Sequence, residues 1–199
     1  MENKKGDFSK EFWYILIGIF FFLTIVIAIS YAVFSNRKDE VIEKTENGGN
    51  LVLNYTNNIT GMSIMNATPL ADAVGMKLSE EGLYFDFSIE STLDNAPSIE
   101  YEISVIKNSK SSTISNDDIR IYLEKEKSGS YSKVFGPSKF SPLKEDTELG
   151  SEKGSMVLLK TKKIRSSTDN YRLRMWLSDT SLLPSGNFGV EVVVNGKAK

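Results

Sequence analysis

The stretch GLYFDFSIE, residues 82–90, alternates between apolar and polar side chains at every position after the glycine. One face of an extended chain would carry large apolar groups and the other would carry mainly polar ones: Leu83, Phe85, Phe87 and Ile89 against Tyr84, Asp86, Ser88 and Glu90. A period of two is typical of a β-strand with one buried face and one face in water. This stretch therefore predicts an antiparallel sheet that covers a core on one side only.

Six further runs repeat this pattern, and turn-forming Gly, Pro, Asn and Asp residues separate most of them. The runs are residues 51–54, 99–105, 119–124, 156–164, 171–177 and 188–195. Short strands at such spacing predict an all-β chain, a single antiparallel β-sandwich or jelly-roll-like domain over residues 51–199. A short helix is expected only near Pro69–Val74, where Gly75 would end it.

An uncharged segment, residues 12–34, precedes this domain. As a helix it would extend roughly 35 Å, enough to cross a hydrocarbon core of about 30 Å. We therefore expect one N-terminal transmembrane helix or uncleaved signal anchor after a cytoplasmic tail at residues 1–11, and a polar tether at 35–50, although the start of the tether is also compatible with a continuing helix. Aromatic and basic residues at both ends are expected at the membrane interfaces: Trp13, Tyr14, Tyr31, Arg37 and Lys38.

A cleaved signal peptide is the alternative, with Ser30 and Ala32 as the small residues before a cut after Ala32. The segment is longer than the usual h-region of about 7–15 residues, which favours an anchor. A buried core helix is disfavoured because soluble helices rarely stay apolar on every face for so many turns. We expect a single-pass protein with its N-terminus in the cytoplasm and its β domain outside the cell membrane.

The composition excludes several kinds of chemistry. The chain contains no His and no Cys and has a formal net charge of −2. A Ser-His-Asp triad, a Cys nucleophile, a typical zinc site and a disulfide framework all need residues that are missing. There is no basic excess for nucleic acid. We therefore predict a non-enzymatic protein without a cofactor or bound metal. Its expected partners are membrane lipid and either another protein or further copies of itself that pair through edge strands.

The best candidate recognition patch is Arg172, Arg174 and Trp176, which fall on one face of a predicted strand. Arginine and tryptophan are enriched in binding hot spots. The alternative is structural: Trp176 plugs one end of the core or covers a strand edge, and the arginines pair with nearby carboxylates. A weaker candidate is calcium binding by carboxylates at predicted turns, which are Asp72, Asp94, Asp117 and Asp118.

A set of short motifs follows the apolar segment in a recognisable order. They are Asn66-Ala67-Thr68-Pro69, Ala71-Asp72-Ala73, Tyr101-Glu102-Ile103-Ser104-Val105, Tyr171–Leu177 and Phe188-Gly189-Val190. In this order, over residues 12–195, the chain resembles exported, signal-anchored β-sandwich proteins of Firmicutes and, more distantly, the TasA and camelysin group of extracellular biofilm fibres. The resemblance implies a jelly-roll-like sandwich outside the membrane and carries no catalytic residue over.

These observations predict surface display, adhesion or envelope assembly by a membrane-anchored sandwich. The alternative is a signal-cleaved subunit of an extracellular fibre of the biofilm type, which assembles by strand exchange at the edges of its sheets. A third possibility is a carbohydrate-binding sandwich.

Overall fold

The computed structural model describes residues 13–14, 19–21, 24, 39–45, 49–55, 60–80 and 83–199. The chain divides into two compact units, Met1–Arg37 and Lys38–Lys199. The described residues of the first unit are helical. The described residues of the second unit form one short helix, α1 (Asp72–Gly75), and these strands: β1 (Asp39–Thr45), β2 (Gly49–Tyr55), β3 (Gly61–Ala67), β4 (Pro69–Leu70), β5 (Tyr84–Leu93), β6 (Ile99–Lys107), β7 (Ile119–Lys127), β8 (Ser130–Ser138), β9 (Met156–Lys163), β10 (Ser167–Ser178) and β11 (Gly186–Ala198).

The strands form two sheets in the part of the chain that the structure describes. The larger sheet has seven strands, six of them in the order β1-β2-β5-β10-β7-β8, and β4 joins the end of β10 in parallel. The smaller sheet has four strands in the order β3-β11-β6-β9. All pairs except β4 with β10 are antiparallel. The prediction of an all-β fold with antiparallel sheets is confirmed.

One hydrophobic core lies between the two sheets. The inward residues of β5, such as Phe87 and Ile89, belong to the same buried cluster as Tyr101 and Ile103 of β6 in the other sheet. Phe140 and Phe188 meet edge to face in this cluster, with ring centroids 6.0 Å apart. The alternation read from the sequence therefore places the apolar face of each sheet against the other, as in a β-sandwich.

The structure differs from the sequence expectation at residues 35–50. Asp39–Thr45 of the predicted tether form β1, which pairs antiparallel with β2. The charged composition of this stretch hides the strand, because β1 lies at the edge of its sheet, where charged residues are common. The predicted helix near Pro69–Val74 also differs, since Pro69–Leu70 form β4 and only Asp72–Gly75 are helical.

The two ends of the sandwich carry different connections. At one end, short links join β7 to β8 through Ser128-Gly129 and β9 to β10 through residues 164–166. At the other end, longer connections cover residues 108–118 and 179–185. In the connection from β8 to β9, residues 139–155, Phe140 enters the core. Residues 147–151 lie over the outer face of the smaller sheet, where Ser151 contacts Glu102 and Asn195.

The predicted transmembrane helix falls mostly on residues outside the described part of the chain. Trp13, Tyr14, Ile19–Phe21 and Thr24 are described, and all of them are helical. Within the described residues, no helix is long and apolar enough to cross a membrane.

Candidate recognition surface

Strand β10 presents the predicted patch on the outer face of the seven-stranded sheet. Its inward residues, such as Tyr171 and Leu173, enter the core, so Arg172, Arg174 and Trp176 point to the opposite face. The structure therefore places the three side chains in one row, as the period of two requires. They differ, however, in what covers them.

Arg172 lies between two aromatic rings. Its guanidinium carbon is 4.0 Å from the ring centroid of Tyr84 on β5 and 4.3 Å from that of Tyr131 on β8. Nε and Nη2 donate to the two carboxylate oxygens of Asp86 at 2.7 and 2.6 Å. This bidentate pair raises the pKa of Arg172, so the group stays charged. We call these four residues the tyrosine–arginine stack.

The stack is partly open to solvent, because all four of its residues are half-buried. Burial and the nearby Asp86 carboxylate raise the pKa of the Tyr131 hydroxyl, which therefore remains a hydrogen-bond donor at neutral pH. The surface thus offers a fixed cation, two aromatic rings and a phenolic donor on one flat sheet face.

Arg174 is buried beneath the segment that follows α1. Its Nε donates to the carbonyl oxygen of Leu78 at 2.6 Å, and its Nη1 forms an ion pair with Glu124 of β7. Its side chain is only 7% exposed. The guanidinium therefore holds the segment after α1 against the sheet.

Trp176 is covered by α1 itself. The indole Nε1 donates to Oδ1 of Asp72 at 3.1 Å, and a Cβ atom at Gly75 would overlap the indole ring. Tyr122 of β7 packs edge to face on the other side, with centroids 6.3 Å apart. Trp176 is 1% exposed, so it joins a small second cluster on the outer face of the sheet.

Of the predicted patch, Arg172 thus reaches the surface while Arg174 and Trp176 lie under residues 72–78. The arginine–carboxylate pairs of the structural alternative occur at both Arg172 and Arg174, whereas Trp176 lies beneath α1 on the outer face of a central strand and not at an end of the core or a strand edge. A recognition role stays a prediction, and the accessible groups that surround Arg172 differ from the predicted ones. Tyr84 and Asp86 stood on the polar face of the opening stretch, but Tyr131 belongs to a strand that the sequence did not predict.

A second polar cluster closes the core near the start of β10. The carboxylate of Asp169 accepts from the Tyr101 hydroxyl at 3.0 Å and pairs with Lys125 at 2.8 Å and with Lys163. Burial alone would raise the pKa of Asp169, but hydrogen bonds from the two lysines and Tyr101 outweigh it and hold that pKa below its usual value. Burial lowers the pKa of Lys125 despite the attraction of Asp169.

Another buried carboxylate, Glu102, lies under the connection between β8 and β9. It accepts from the Thr147 hydroxyl and, at 3.1 Å, from the Ser151 amide. Glu102 is 2% exposed. Its role in this structure is to hold residues 147–151 against the smaller sheet.

Three of the four carboxylates predicted at turns have partners within the protein, and the fourth, Asp94, is exposed. Asp117 pairs with Lys139 at 2.6 Å, Asp118 accepts from the Ser115 hydroxyl at 2.8 Å, and Asp72 accepts from Trp176. No group of three or more acidic side chains that could hold a metal ion occurs in the described residues.

The predicted membrane-interface residues are described only in part. Trp13 and Tyr14 are helical and exposed. Tyr31, Arg37, Lys38 and the predicted cleavage position Ala32 lie outside the described residues.

No family model and no curated protein matches the chain, so these two comparisons identify no family. Among solved structures, AvmM, which catalyses macrocyclization in alchivemycin A biosynthesis, matches with 9% identity and a TM-score of 0.28, over 71% of this chain and 90% of that one. A GDSL-like lipase from Bacteroides ovatus matches with 15% identity and a TM-score of 0.25, over 74% of this chain and 43% of that one. A β-glucosidase from Kluyveromyces marxianus has 13% identity and a TM-score of 0.20, over 59% and 12%. These scores are too low to support an argument about fold or function.

Proposed function

We propose that the chain is a membrane-anchored, extracytoplasmic β-sandwich protein with a non-enzymatic role in surface display, adhesion or envelope assembly. The observation that carries this proposal is the uncharged segment at residues 12–34. Its described large side chains, those of Trp13, Tyr14 and Ile19–Phe21, are all more than half exposed on helical backbone. Exposed apolar groups of this size are favourable in a lipid environment.

The anchored domain would act as a rigid platform with jelly-roll-like connectivity. From β5 onward the chain passes repeatedly between the two sheets: β5 is in the larger sheet, β6 in the smaller, β7 and β8 in the larger, β9 in the smaller, β10 in the larger and β11 in the smaller. Such crossing connections tie both sheets together. A platform of this kind suits binding by its faces and loops.

The tyrosine–arginine stack is the surface that we assign to partner binding. Arg and Tyr dominate binding hot spots, and Asp86 and the two rings already fix the conformation of Arg172. A fixed side chain loses little entropy when a partner binds. A protein surface that offers neutral hydrogen-bond acceptors and apolar edges would fit this array, because Asp86 already pairs with the guanidinium of Arg172.

The buried carboxylates support a structural rather than a catalytic reading. Asp169 already receives bonds from two lysines and Tyr101, and Glu102 already accepts from Thr147 and Ser151. General acid–base catalysis needs a carboxyl group within reach of a substrate proton. These two groups instead hold elements of the sandwich together.

Protease accessibility tests the topology. We expect protease added to intact cells to degrade residues 51–199 and to leave a tag on residues 1–11 protected, with both parts degraded after permeabilisation. Protection of the β domain on intact cells would contradict the proposed orientation.

Site-specific photocrosslinking tests the surface. A photoreactive phenylalanine analogue at Tyr131 should give a discrete adduct on intact cells, and Arg172→Ala should abolish it. The matched control is the same probe at Glu191, an exposed position on β11 in the other sheet. The same adduct from both positions, or no adduct at Tyr131, would refute binding at the stack.

The alternative is a fibre subunit released by cleavage after Ala32. The mass and N-terminal sequence of the cellular protein distinguish the two proposals, because the anchored protein begins at Met1 and the released subunit at Val33.

A third candidate, carbohydrate binding, is favoured by the two tyrosine rings on one sheet face, since sugars stack on aromatic rings. A glycan array that gives the same signal for Tyr84→Ala as for the unmodified protein would dispose of it.

A further inference from the structure

The edges of the two sheets are protected to different degrees. Strand β1 has the charged sequence DEVIEKT, and β9 carries exposed Lys160 and Lys162. Strand β8 carries Lys133 and Pro137, and its pairing with β7 shifts register twice. Charges, proline and bulges are the usual means by which an edge resists pairing with another chain. Strand β3, with the sequence GMSIMNA, carries no charge and no proline, and its register with β11 is regular from Gly61 to Ile64 and shifts only beyond Ile64.

The free edge of β3 can be assigned from its register with β11. The amide of Val192 donates to the carbonyl oxygen of Thr60, so the pairs Met62–Val190 and Ile64–Phe188 also face each other with their backbone bonds. The N–H and C=O groups of Gly61, Ser63 and Met65 therefore point away from β11. None of the three has a backbone partner among the other described residues.

We propose that β3 pairs antiparallel with β3 of a second copy of this chain, about a two-fold axis at Ser63. In this register Ser63 faces Ser63 of the second copy, and Gly61 faces Met65. These are the residues whose backbone groups point outward, so each facing pair forms hydrogen bonds in both directions. The two four-stranded sheets then become one sheet of eight strands.

The side chains fit this register on both faces of the sheet. On the inner face Met62 and Ile64, both buried, stand opposite Ile64 and Met62 of the second copy, so the apolar row continues across the axis. On the outer face Met65, which is 74% exposed, would lie over Gly61, which has no side chain. No charged side chain occurs on β3, so the two-fold axis places no like charges together.

A second copy is the occupant that these observations favour, because the edge is complementary to itself. The inference extends the proposed display role by naming a partner, but it concerns a different surface from the tyrosine–arginine stack. Two anchored copies share one membrane, which raises their effective concentration and helps a short interface to form. If the tests at β3 described below detect no dimer while added protease still degrades the β domain on intact cells, only the strand pairing is refuted and the proposed membrane topology stands.

Disulfide trapping tests the two-fold axis directly. The chain has no cysteine, so Ser63→Cys introduces a single thiol without removing a charge. Residues in a hydrogen-bonded antiparallel pair have Cα atoms about 5.5 Å apart, which is within the range of roughly 4.4–6.8 Å that a disulfide spans. We expect oxidation of full-length Ser63→Cys in membranes to give a covalent dimer. Lys162→Cys, on the exposed edge strand β9, is the matched control and should stay monomeric.

Charge pairing tests the register. Ser63→Lys should abolish the dimer of the full-length protein in detergent, measured by light scattering, and Ser63→Glu should do the same, because each places like charges on the axis. An equimolar mixture of the two variants should restore the dimer. A heteromeric strand partner would instead leave the mixture monomeric, and this outcome would overturn the proposal. The proposal would also be overturned if Ser63→Cys and Lys162→Cys gave equal amounts of covalent dimer, or if the dimer persisted in both Ser63→Lys and Ser63→Glu.

Discussion

The hydroxyl oxygens of Tyr101 and Tyr171 lie 2.9 Å apart in the interior of the sandwich. Tyr101 belongs to β6 of the smaller sheet and Tyr171 to β10 of the larger, so this contact joins the two sheets through their polar atoms. Both residues are fully buried, and burial raises the pKa of both hydroxyls. The pair therefore stays protonated and fixes how the two sheets face each other.

We expect Tyr101→Phe and Tyr171→Phe each to reduce the free energy of unfolding by about 1 kcal/mol, the net worth of a typical hydrogen bond. The double variant should cost less than the sum of the single ones, because the first change already removes the shared contact. Chemical denaturation followed by circular dichroism measures all three. Tyr84→Phe, which keeps its ring against Arg172 on the outer face, is the control. Strictly additive losses would show that the hydroxyls do not interact.

Asp169 should make the sandwich sensitive to acid. Its pKa is lowered in the folded state, so its contribution is complete above the unfolded value of about 3.9 and is lost as the pH falls below it. At neutral pH Asp169→Asn should cost about 3 kcal/mol, because Lys125 and Lys163 lose their shared partner.

The difference in stability between the unmodified protein and Asp169→Asn should shrink as the pH falls below about 3.9, because the carboxyl group of the unfolded chain then takes up a proton before that of the folded chain does. Melting temperatures across the acid range provide the measurement. Asp179→Asn, an exposed carboxylate beyond β10, is the control. A constant difference at every pH would argue against a role for the charge of Asp169.

Substitution of Gly75 by alanine should displace α1 from the sheet. A Cβ atom at this position overlaps the indole of Trp176, and overpacking of this kind costs about 1–3 kcal/mol. In a Trp13→Phe background Trp176 is the only tryptophan, so its fluorescence should shift to the red as water reaches the ring. Ala73→Gly in the same helix is the control. An unchanged spectrum for Gly75→Ala would contradict this prediction, because it would mean that α1 adjusts to the new side chain without exposing the indole.

Glu102→Leu should release the connection between β8 and β9. The change removes the acceptor of the Thr147 hydroxyl and the Ser151 amide, and an unsatisfied buried donor costs about 1–3 kcal/mol. Trypsin should then cleave at Lys144 or Lys153 in the native protein faster than before. Glu191→Leu, on the exposed side of β11, should leave the cleavage rate unchanged. Equal rates in both variants would contradict a holding role for Glu102.

The sequence predicts the central strands well because one face of each is buried. Tyr171–Leu177 and residues 82–90 both keep a strict period of two in the sequence, and in the structure Tyr171–Arg174 pairs with Tyr84–Phe87. Strand β8 is not predicted from the sequence, because its register with β7 shifts twice and the alternation of apolar and polar residues is interrupted. Strand β3 is short and paired on one side only, so its pattern is weak.

The candidate surface could be predicted only in part, because one of the strands that form it does not keep the alternating pattern. Alternation correctly puts Arg172 on an outer face, but its partner Tyr131 lies on the strand that lacks the pattern. The cover over Trp176 comes from Asp72, which is 104 positions away along the chain. A period of two predicts on which face of a strand a side chain lies, but it does not predict whether a distant segment of the chain packs over that face.

Strand β10 has hydrogen-bonded neighbours on both sides, β5 and β7, and its last residues also pair with β4. Its amides can meet solvent only when neighbouring strands separate, whereas the outward amides of the edge strands face it already. Deuterium uptake should consequently be slowest at the centre of β10, and loss of this strand's protection would report opening of the entire larger sheet.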